Sequence, residues 1–374
     1  MIIAGEASGD LHAAKLIRAI HAKQSDIHFY GIGGDHMAQA GAEVHVNSRD
    51  MAVVGLVEIW AQRKLIFGAL DKMKQSIAAQ PPDLLILVDY PEFNLRLAKF
   101  AKQHGVKVLF YISPQIWAWR QHRVKKIKQR VDMMAVVFPF EEIFYKKHDV
   151  PVQFVGHPLV DEVKASADQA SLRTEFGINT DKLTIGLFPG SRRSEIKRLL
   201  VTILESARCI KQQHPDCQFL LPLAHTLDTT DIETALTDYA DLNIRTVQHR
   251  SYDVMEACDL ILTVSGTVTL EIALMKKPMV IINRVAWLTY QLVHRMLKID
   301  HIGLCNIVAD KRIAPELIQY DATPEKICET MNTLIHDQNA RQTMQMELAK
   351  IEGLLGARGG IDNMATLTLQ MLEN

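Results

Sequence analysis

Residues 1–10 read MIIAGEASGD, and the fold follows from how this stretch is parsed. Met1 to Ala4 form the apolar end of a buried strand, and Gly5 and Gly9 frame an acid and a serine. From Asp10 to Lys23, Leu11, Leu16, Ile17 and Ile20 share one helical stripe. Strand, glycine turn and helix make the first unit of a doubly wound α/β sheet. The helix N-terminus presents free N–H groups and positive dipole, which suits phosphate. Gly5, Glu6, Ser8 and Gly9 are thus candidate anion-facing residues, against the alternative of a tight turn capped by Ser8 or Asp10. The loop is not G-x-G-x-x-G, lacks the P-loop lysine, and does not flank Ser8 with the glycines of a nucleophile elbow. A ligand other than a dinucleotide or ATP is the better expectation.

At 374 residues the chain is long enough for two domains. Hydrophobic residues at 48% and charged residues at 23% describe an ordinary soluble globular protein. A net charge of −1 offers no global attraction to nucleic acid or acidic lipid, so any such affinity is local. The cysteines (Cys209, Cys217, Cys258, Cys305, Cys328) are odd in number and contain no C-x-x-C. They predict a reducing cytoplasm, with neither a zinc site nor a disulfide frame. No signal-peptide pattern precedes the first strand, and no apolar run approaches the roughly 18 residues of a membrane span.

Strand and helix patterns alternate throughout. LLILV (84–88) and VKVLFYI (106–112) are continuously apolar, as strands covered on both faces should be. After Gly156-His157-Pro158 the chain turns polar, and the alternation restarts at Thr184. The economical reading is two parallel α/β units: residues 1–160, residues 161–345, and a helical tail, 346–374, packing back across both. Two such Rossmann-like domains face a central cleft lined by the carboxyl ends of both sheets, where ligands bind.

In the second half, LTIGLF runs into PGSRRSEI, so Pro189, Gly190 and Ser191 turn the chain and Arg192 stands at a helix mouth. N–H groups, a hydroxyl and a guanidinium converging there suit a diphosphate, against the alternative of a capped turn with solvated arginines. LILTV runs into SGTVTLEIAL, where Ser265, Gly266 and Thr267 open another helix and Glu271 lies one turn on. A carboxylate so placed can accept two ribose hydroxyls; alternatively it only complements the helix dipole. Together these point to a nucleotide-sugar. No Asp-x-Asp pair occurs, so a metal-chelated diphosphate is not indicated and no cofactor is expected.

The first half supplies an acceptor side. Asp89 follows LLILV at a strand's carboxyl end, a candidate general base, with Glu92 competing and an Asx-turn as the alternative. YISPQIWAWRQHRVKKIKQR joins two tryptophans to six basic residues, which reads as a solvated helix face, a nucleic-acid patch or an anchor for anionic headgroups. MAVVGLVEIWAQRKLI (51–66) places Val53, Val57, Trp60 and Leu65 in an apolar patch beside Arg63 and Lys64, a candidate acyl-chain and membrane contact whose alternative is core.

Taken in order, GEASGDLH, GIGG, MAVVGLVEIW, DYPEFNLRLAK, YISPQIWAWR, FPFEEIFY, FVGHPLVDEV, FPGSRRSEI and SGTVTLEIAL resemble the lipid-A-disaccharide synthase family, glycosyltransferases of GT-B architecture, over nearly the whole chain. The resemblance implies transfer from UDP-2,3-diacylglucosamine to 2,3-diacylglucosamine 1-phosphate, with inversion, giving a β-1,6 tetraacyl disaccharide 1-phosphate and UDP. It further implies a cytoplasmic enzyme peripherally associated with the inner membrane; a homodimer is compatible with it. The family's base matches Asp89. Arg192 and Asn306, in LCNIV, match positions important for catalysis. The resemblance also implies that Ser191, Ser265, Gly266, Thr267 and Glu271 surround UDP and that the GEASGD loop faces the diphosphate. The chain starts only a few residues before GEASGD, so the first strand is short. A UDP-N-acetylglucosamine 2-epimerase or a peptidoglycan glucosaminyltransferase would share the architecture, and the basic segment admits an RNA-binding protein. The apolar acceptor patch favours the lipid reading.

Overall fold

The computed structural model describes residues 1–51, 56–223, 229–285 and 300–373, with the side chains of 56–63, 194 and 229–231 left out. The described chain separates into two compact units, Met1–Pro158 with Leu355–Asn374, and Leu159–Leu354.

The first unit is built on seven strands: β1 Ile2–Ala4, β2 Tyr30–Gly33, β3 Glu43–Asn47, β4 Leu84–Val88, β5 Lys107–Tyr111, β6 Met133–Val136 and β7 Val152–Phe154. They lie in the order β3-β2-β1-β4-β5-β6-β7, every neighbouring pair parallel. The second unit repeats the scheme with β8 Thr184–Phe188, β9 Gln218–Leu223, β10 Arg245–Gln248, β11 Leu260–Val264, β12 Met279–Asn283 and β13 Glu316–Ile318, in the order β10-β9-β8-β11-β12-β13. Both sheets are doubly wound. Central strands β4, β8 and β11 are buried at every residue, so the continuous apolar runs of the sequence report cover on both faces. The two strands that sequence patterning does not mark, β3 and β13, are edges. Glu43 and His45 give β3 the polar composition of a solvated edge, and β13 is three residues long.

Helix Ala7–Lys23 buries Ala13, Ala14, Leu16, Ile17 and Ile20 against one face of the first sheet. On the other, Met73 and Ile77 of helix Leu56–Ala79 and Leu97 and Ala101 of helix Pro91–Gln103 join Leu85, Leu87 and Phe110 in the core. The tail divides at residue 354. Helix Gln338–Leu354 stays with the second unit, whereas helix Gly360–Glu373 packs on helix Ala7–Lys23. Asn363 donates to the Val155 carbonyl at 3.1 Å, and Lys107 to that of Met371 at 3.3 Å. Among the described residues no helix is long and apolar enough to cross a membrane.

The expectation that no disulfide forms is corrected. Cys209, on helix Arg193–Gln213, is bonded to Cys328, on helix Pro324–His336, with Cα atoms 6.1 Å apart. The two helices pack side by side although 119 positions separate the cysteines, which spacing along the chain does not reveal. Cys217, Cys258 and Cys305 are free and buried.

In the GIGG stretch, Gly31 has φ +148°, and a Cβ there would lie 2.1 Å from the Ile2 carbonyl oxygen. Gly31→Ala must push β2 away from β1, costing on the order of 2–3 kcal/mol. Thermal unfolding should show a clearly lowered midpoint; an unchanged one would mean the pairing yields without cost.

Candidate active site

Each sheet reverses its winding once, between β1 and β4 in the first unit and between β8 and β11 in the second. Loops leaving the carboxyl ends of two such strands stand side by side with their helices on opposite faces, and ligands bind there.

In the first unit Ala4 pairs with Val88, so the Gly5 turn and the Asp89 turn are neighbours. Tyr90 lies against Gly5, where a Cβ would come 2.4 Å from the tyrosine ring; only glycine lets the two turns close together. Asp89 and Tyr90 both take left-handed backbone, with φ 48° and 45°, and Ile112 at the neighbouring end of β5 does the same with φ 63°. Each costs about 1–3 kcal/mol and persists only where its surroundings hold it. Here the Asp89 N–H donates to the Tyr111 carbonyl at 3.0 Å, and the Asn94 amide donates to the Asp89 carbonyl at 2.7 Å. Burial, and then the negative charge of Glu6, push the Asp89 carboxyl up to about 6, while the Tyr90 N–H works the other way. An acid titrating there is ionised at neutral pH yet basic enough to accept a proton.

Glu6 and Ser8 are exposed at the opening turn of helix Ala7–Lys23, and Gly5 and Gly9 are buried. The capping alternative for Ser8 or Asp10 is corrected. The N-cap is Glu6 with no side-chain bond, and Asp10 instead accepts from the N–H groups of Gly34, His36 and Met37 at 2.6, 3.1 and 3.1 Å. Asp10 thereby ties the GIGG turn to the first helix. Glu6 acts on Asp89 as a like charge, so this turn tunes the acid beside it more than it invites an anion.

A buried polar layer lies behind the same sheet end. Trp117 Nε1 donates to Glu141 at 3.1 Å, the Phe138 N–H donates to its other oxygen at 3.3 Å, and Ser113 bonds the Tyr145 hydroxyl at 2.8 Å. Burial pushes the Glu141 carboxyl up to about 8, against the opposing pull of those donors.

In the second unit Thr263 pairs with Phe188, which brings the 189–192 turn beside the 265–267 turn. Gly190 has φ +100°, and Val264 and Glu195 crowd the place of its missing side chain. Arg192 is the N-cap of helix Arg193–Gln213, with its side chain 80% exposed and Glu195 beside it at 3.2 Å, so its guanidinium is open to a ligand. Ser191 and Thr267 are exposed, and a side chain at Gly266 would meet nothing within 4 Å among the described residues. Ser265 is less free, since its hydroxyl donates to the Ile302 carbonyl at 2.7 Å.

Glu271 faces a cavity of about 620 Å³ lined also by Lys164, Ser166, His249, Arg250 and Tyr252. Tyr252 donates to it at 3.2 Å, while burial and then Glu162 raise its pKa. Tyr252 and Arg250 have no motif of their own; the signal they offer is their place after the carboxyl end of β10, Arg250 as the N-cap of helix Ser251–Ala257 and Tyr252 in its first turn.

Asn306 is not part of this surface. It is fully buried; its amide donates to Ala314 and Glu316, and its oxygen accepts from the N–H groups of Ile313 and Ala314. Glu316 in turn accepts from the N–H groups of Ile302 and Gly303, and Ile302 is the partner of Ser265. Asn306 therefore reaches the 265–267 turn through Glu316 and Ile302, as a positioning residue.

Of the apolar patch, Val53 lies outside the described residues. Val57 and Trp60 are on helix Leu56–Ala79, but their side chains are outside the description. Leu65 and Phe67, on the same helix, are 57% and 44% exposed, and Arg96 lies 5.6 Å from the Phe67 ring centre. Among the described residues no group of three or more His, Cys, Asp or Glu side chains could hold a metal ion.

Comparison with known proteins gives the family and the fold. Residues 1–363 match the family described as lipid-A-disaccharide synthetase. A lipid-A-disaccharide synthase of Trichlorobacter lovleyi is 52% identical over 373 residues, covering 100% of this chain and 97% of that protein. Among solved structures, a UDP co-structure of S. aureus MnaA superposes with TM-score 0.65 at 12% identity, covering 100% of this chain and 97% of that one. The kitacinnamycin glycotransferase gives 0.63 at 14% identity, covering 99% and 98%. At such identities these two likenesses carry the fold alone, which is GT-B.

Below an ordinary glutamate's 4.5, Glu141 is protonated in the folded and unfolded chain alike. Because its folded pKa is the higher, stability is full at low pH and is lost as pH rises through about 8. Glu141→Gln should flatten the fall of the melting temperature between pH 5 and 9, whatever it does to the absolute value. Parallel curves for the two proteins would remove Glu141 as its source.

Proposed function

Because the chain belongs to the lipid-A-disaccharide synthetase family and is a glycosyltransferase of lipid A biosynthesis, we propose that it transfers a diacylglucosamine from UDP-2,3-diacylglucosamine to the 6-hydroxyl of 2,3-diacylglucosamine 1-phosphate. The products are the β-1,6 tetraacyl disaccharide 1-phosphate and UDP. The observation that carries the mechanism is Asp89: a half-buried carboxyl, strained backbone and a pKa of about 6 at the reversal point of a sheet. Asp89 takes the proton of the acceptor hydroxyl as oxygen attacks the anomeric carbon from the face opposite UDP, which inverts an α-linked donor. Negative charge developing on UDP is met by Arg192 and the N–H groups of the 265–267 turn, without a metal ion or cofactor. Glu271, with Tyr252 beside it, accepts the ribose hydroxyls. Ser191 and Thr267 contact the diphosphate, and Asn306 keeps Ser265 in place through Glu316 and Ile302. The Gly5–Gly9 turn serves Asp89 through Glu6. The epimerase and peptidoglycan alternatives rest on architecture alone.

The two carboxylates should separate cleanly in a UDP-release assay with both acylated sugars. Asp89→Asn should lower turnover by about 100- to 10,000-fold. It should leave UDP affinity near wild type, because Asp89 belongs to the first unit and the UDP residues to the second. Glu271→Ala should weaken UDP binding by about 10- to 100-fold, the loss of hydrogen bonds to a charged acceptor. Since the base must be ionised, wild-type kcat/KM should fall as pH drops below about 6. Full turnover in the Asp89 variant would place the base elsewhere.

The acylated substrates bring the enzyme to the cytoplasmic face of the inner membrane, as a peripheral protein. Each methylene withdrawn from water contributes about 0.8 kcal/mol, so an acyl chain favours an exposed apolar strip. Leu65 and Phe67 are exposed apolar side chains on helix Leu56–Ala79 that an acyl chain or bilayer can cover. Leu65→Ser with Phe67→Ser should loosen binding to anionic vesicles in flotation while UDP affinity holds. Unaltered flotation would assign the membrane contact to another surface.

A further inference from the structure

The basic, tryptophan-containing segment after β5 has so far no role in the reaction. Most of it is an ordinary solvated face. Lys125, Lys126 and Lys128 are exposed on the short helix Val124–Lys128, whose Val124 and Ile127 are buried. Arg120 and Arg123 differ, because both converge on one carboxylate. Glu92 lies 2.5 Å from the Arg123 guanidinium and 3.7 Å from that of Arg120. Arg120 is also stacked on Trp119, 3.8 Å from its ring centre, which fixes the plane of its donors.

The burial order is informative. Arg123 and Arg120 are 23% and 36% exposed, whereas Glu92 between them is 67% exposed. The cations form the floor, and the anion sits on the solvent side, where another anion can take its place. Two guanidiniums against one carboxylate leave a local surplus of one positive charge. Glu92 is in the first turn of helix Pro91–Gln103, so the dipole of a helix of thirteen residues adds to the preference for negative charge. That turn begins directly after Asp89 and Tyr90, which puts the cluster on the chain segment that carries the base.

We propose that Arg120 and Arg123 are the recognition site for the phosphomonoester of the acceptor sugar, with Glu92 as the resident anion that the phosphate displaces. A phosphomonoester carries about −1.5 to −2 charges at neutral pH and three acceptor oxygens. It can therefore accept from both guanidiniums and neutralise them more fully than one carboxylate does. The acceptor is then held at its phosphate end by the arginines and presents its hydroxyl to Asp89, so an acceptor without phosphate is discriminated against. This inference rests on the glycosyltransferase reading above. The phosphate in question is the acceptor's own; a membrane headgroup offering the same chemistry is the competing source.

Two measurements test it. In calorimetry with glucosamine 1-phosphate, which has no acyl chain, wild type should bind, Arg123→Ala and Arg120→Ala should bind about 10- to 100-fold more weakly, and Glu92→Gln should bind more tightly. In the UDP-release assay, the arginine variants should raise KM for the phosphorylated acceptor by a similar factor and lose the preference over its dephosphorylated form. UDP affinity should not move. The gain in the Glu92 variant guards the test, since damaged folding does not tighten binding. Wild-type binding of the sugar phosphate without any turnover would leave the anion site standing and sink the glycosyltransferase reading. Retained preference for the phosphorylated acceptor in Arg120→Ala/Arg123→Ala would overturn the site. If that double variant instead loses only binding to anionic vesicles, the arginines hold headgroups and the proposal fails.

Discussion

The pairing of Ala4 with Val88 across β1 and β4 is the constraint on which the first half of the molecule depends. Parallel strands lacking a common hairpin must be joined by crossovers, and reversal of the winding leaves one place where two turns lie together uncovered. Gly5 is glycine because Tyr90 occupies the space of its side chain, and that contact sets Glu6 beside Asp89. The pairing of Thr263 with Phe188 does the same work in the second unit, where Gly190 gives way to Val264 and Glu195. Each set of candidate residues thus sits at the carboxyl ends of two paired strands.

Three carboxyls, Glu141 buried and Asp89 and Glu271 half-buried, share one physical origin for their altered acidity. Asp89, Glu141 and Glu271 are all raised first by loss of water; a like charge adds to this at Asp89 and Glu271, whereas the neighbours of Glu141 all pull its carboxyl back down. Their partners then separate their roles. Asp89 is raised further by a like charge and is pulled back only by a backbone N–H, so it stays available as a base. Glu141 has its oxygens occupied by Trp117 and the Phe138 N–H, which makes it a clamp between two turns. Among the described residues Glu271 accepts from Tyr252, and it opens on a cavity, which leaves acceptor capacity for a ligand. A buried polar group is costly when unmatched, and the count of its partners indicates whether it holds structure or awaits substrate.

Cys209 and Cys328 follow a different logic. Helix packing brings their Cα atoms to 6.1 Å, within the range a disulfide spans. Proximity decides that the bond can form; the redox poise of the compartment decides how long it lasts.

Much of the architecture was legible in the residues. The apolar runs of β4, β5, β8 and β11 and the glycine turns after β1 and β8 mark buried parallel strands followed by helices, because period and backbone freedom are local properties. Asp89 and Arg192 were legible for the same reason, each standing where a strand pattern ends. The edges β3 and β13 were not, since half-solvated strands lack the apolar signal. Nor was the fate of Asn306: its side chain could have faced a ligand, and only the fold shows all its bonds spent on Ala314, Glu316 and Ile313. Tyr252 beside Glu271, Glu6 beside Asp89, and Arg120 and Arg123 on Glu92 were equally hidden. These meetings depend on which strands become neighbours, and spacing along the chain carries no record of that.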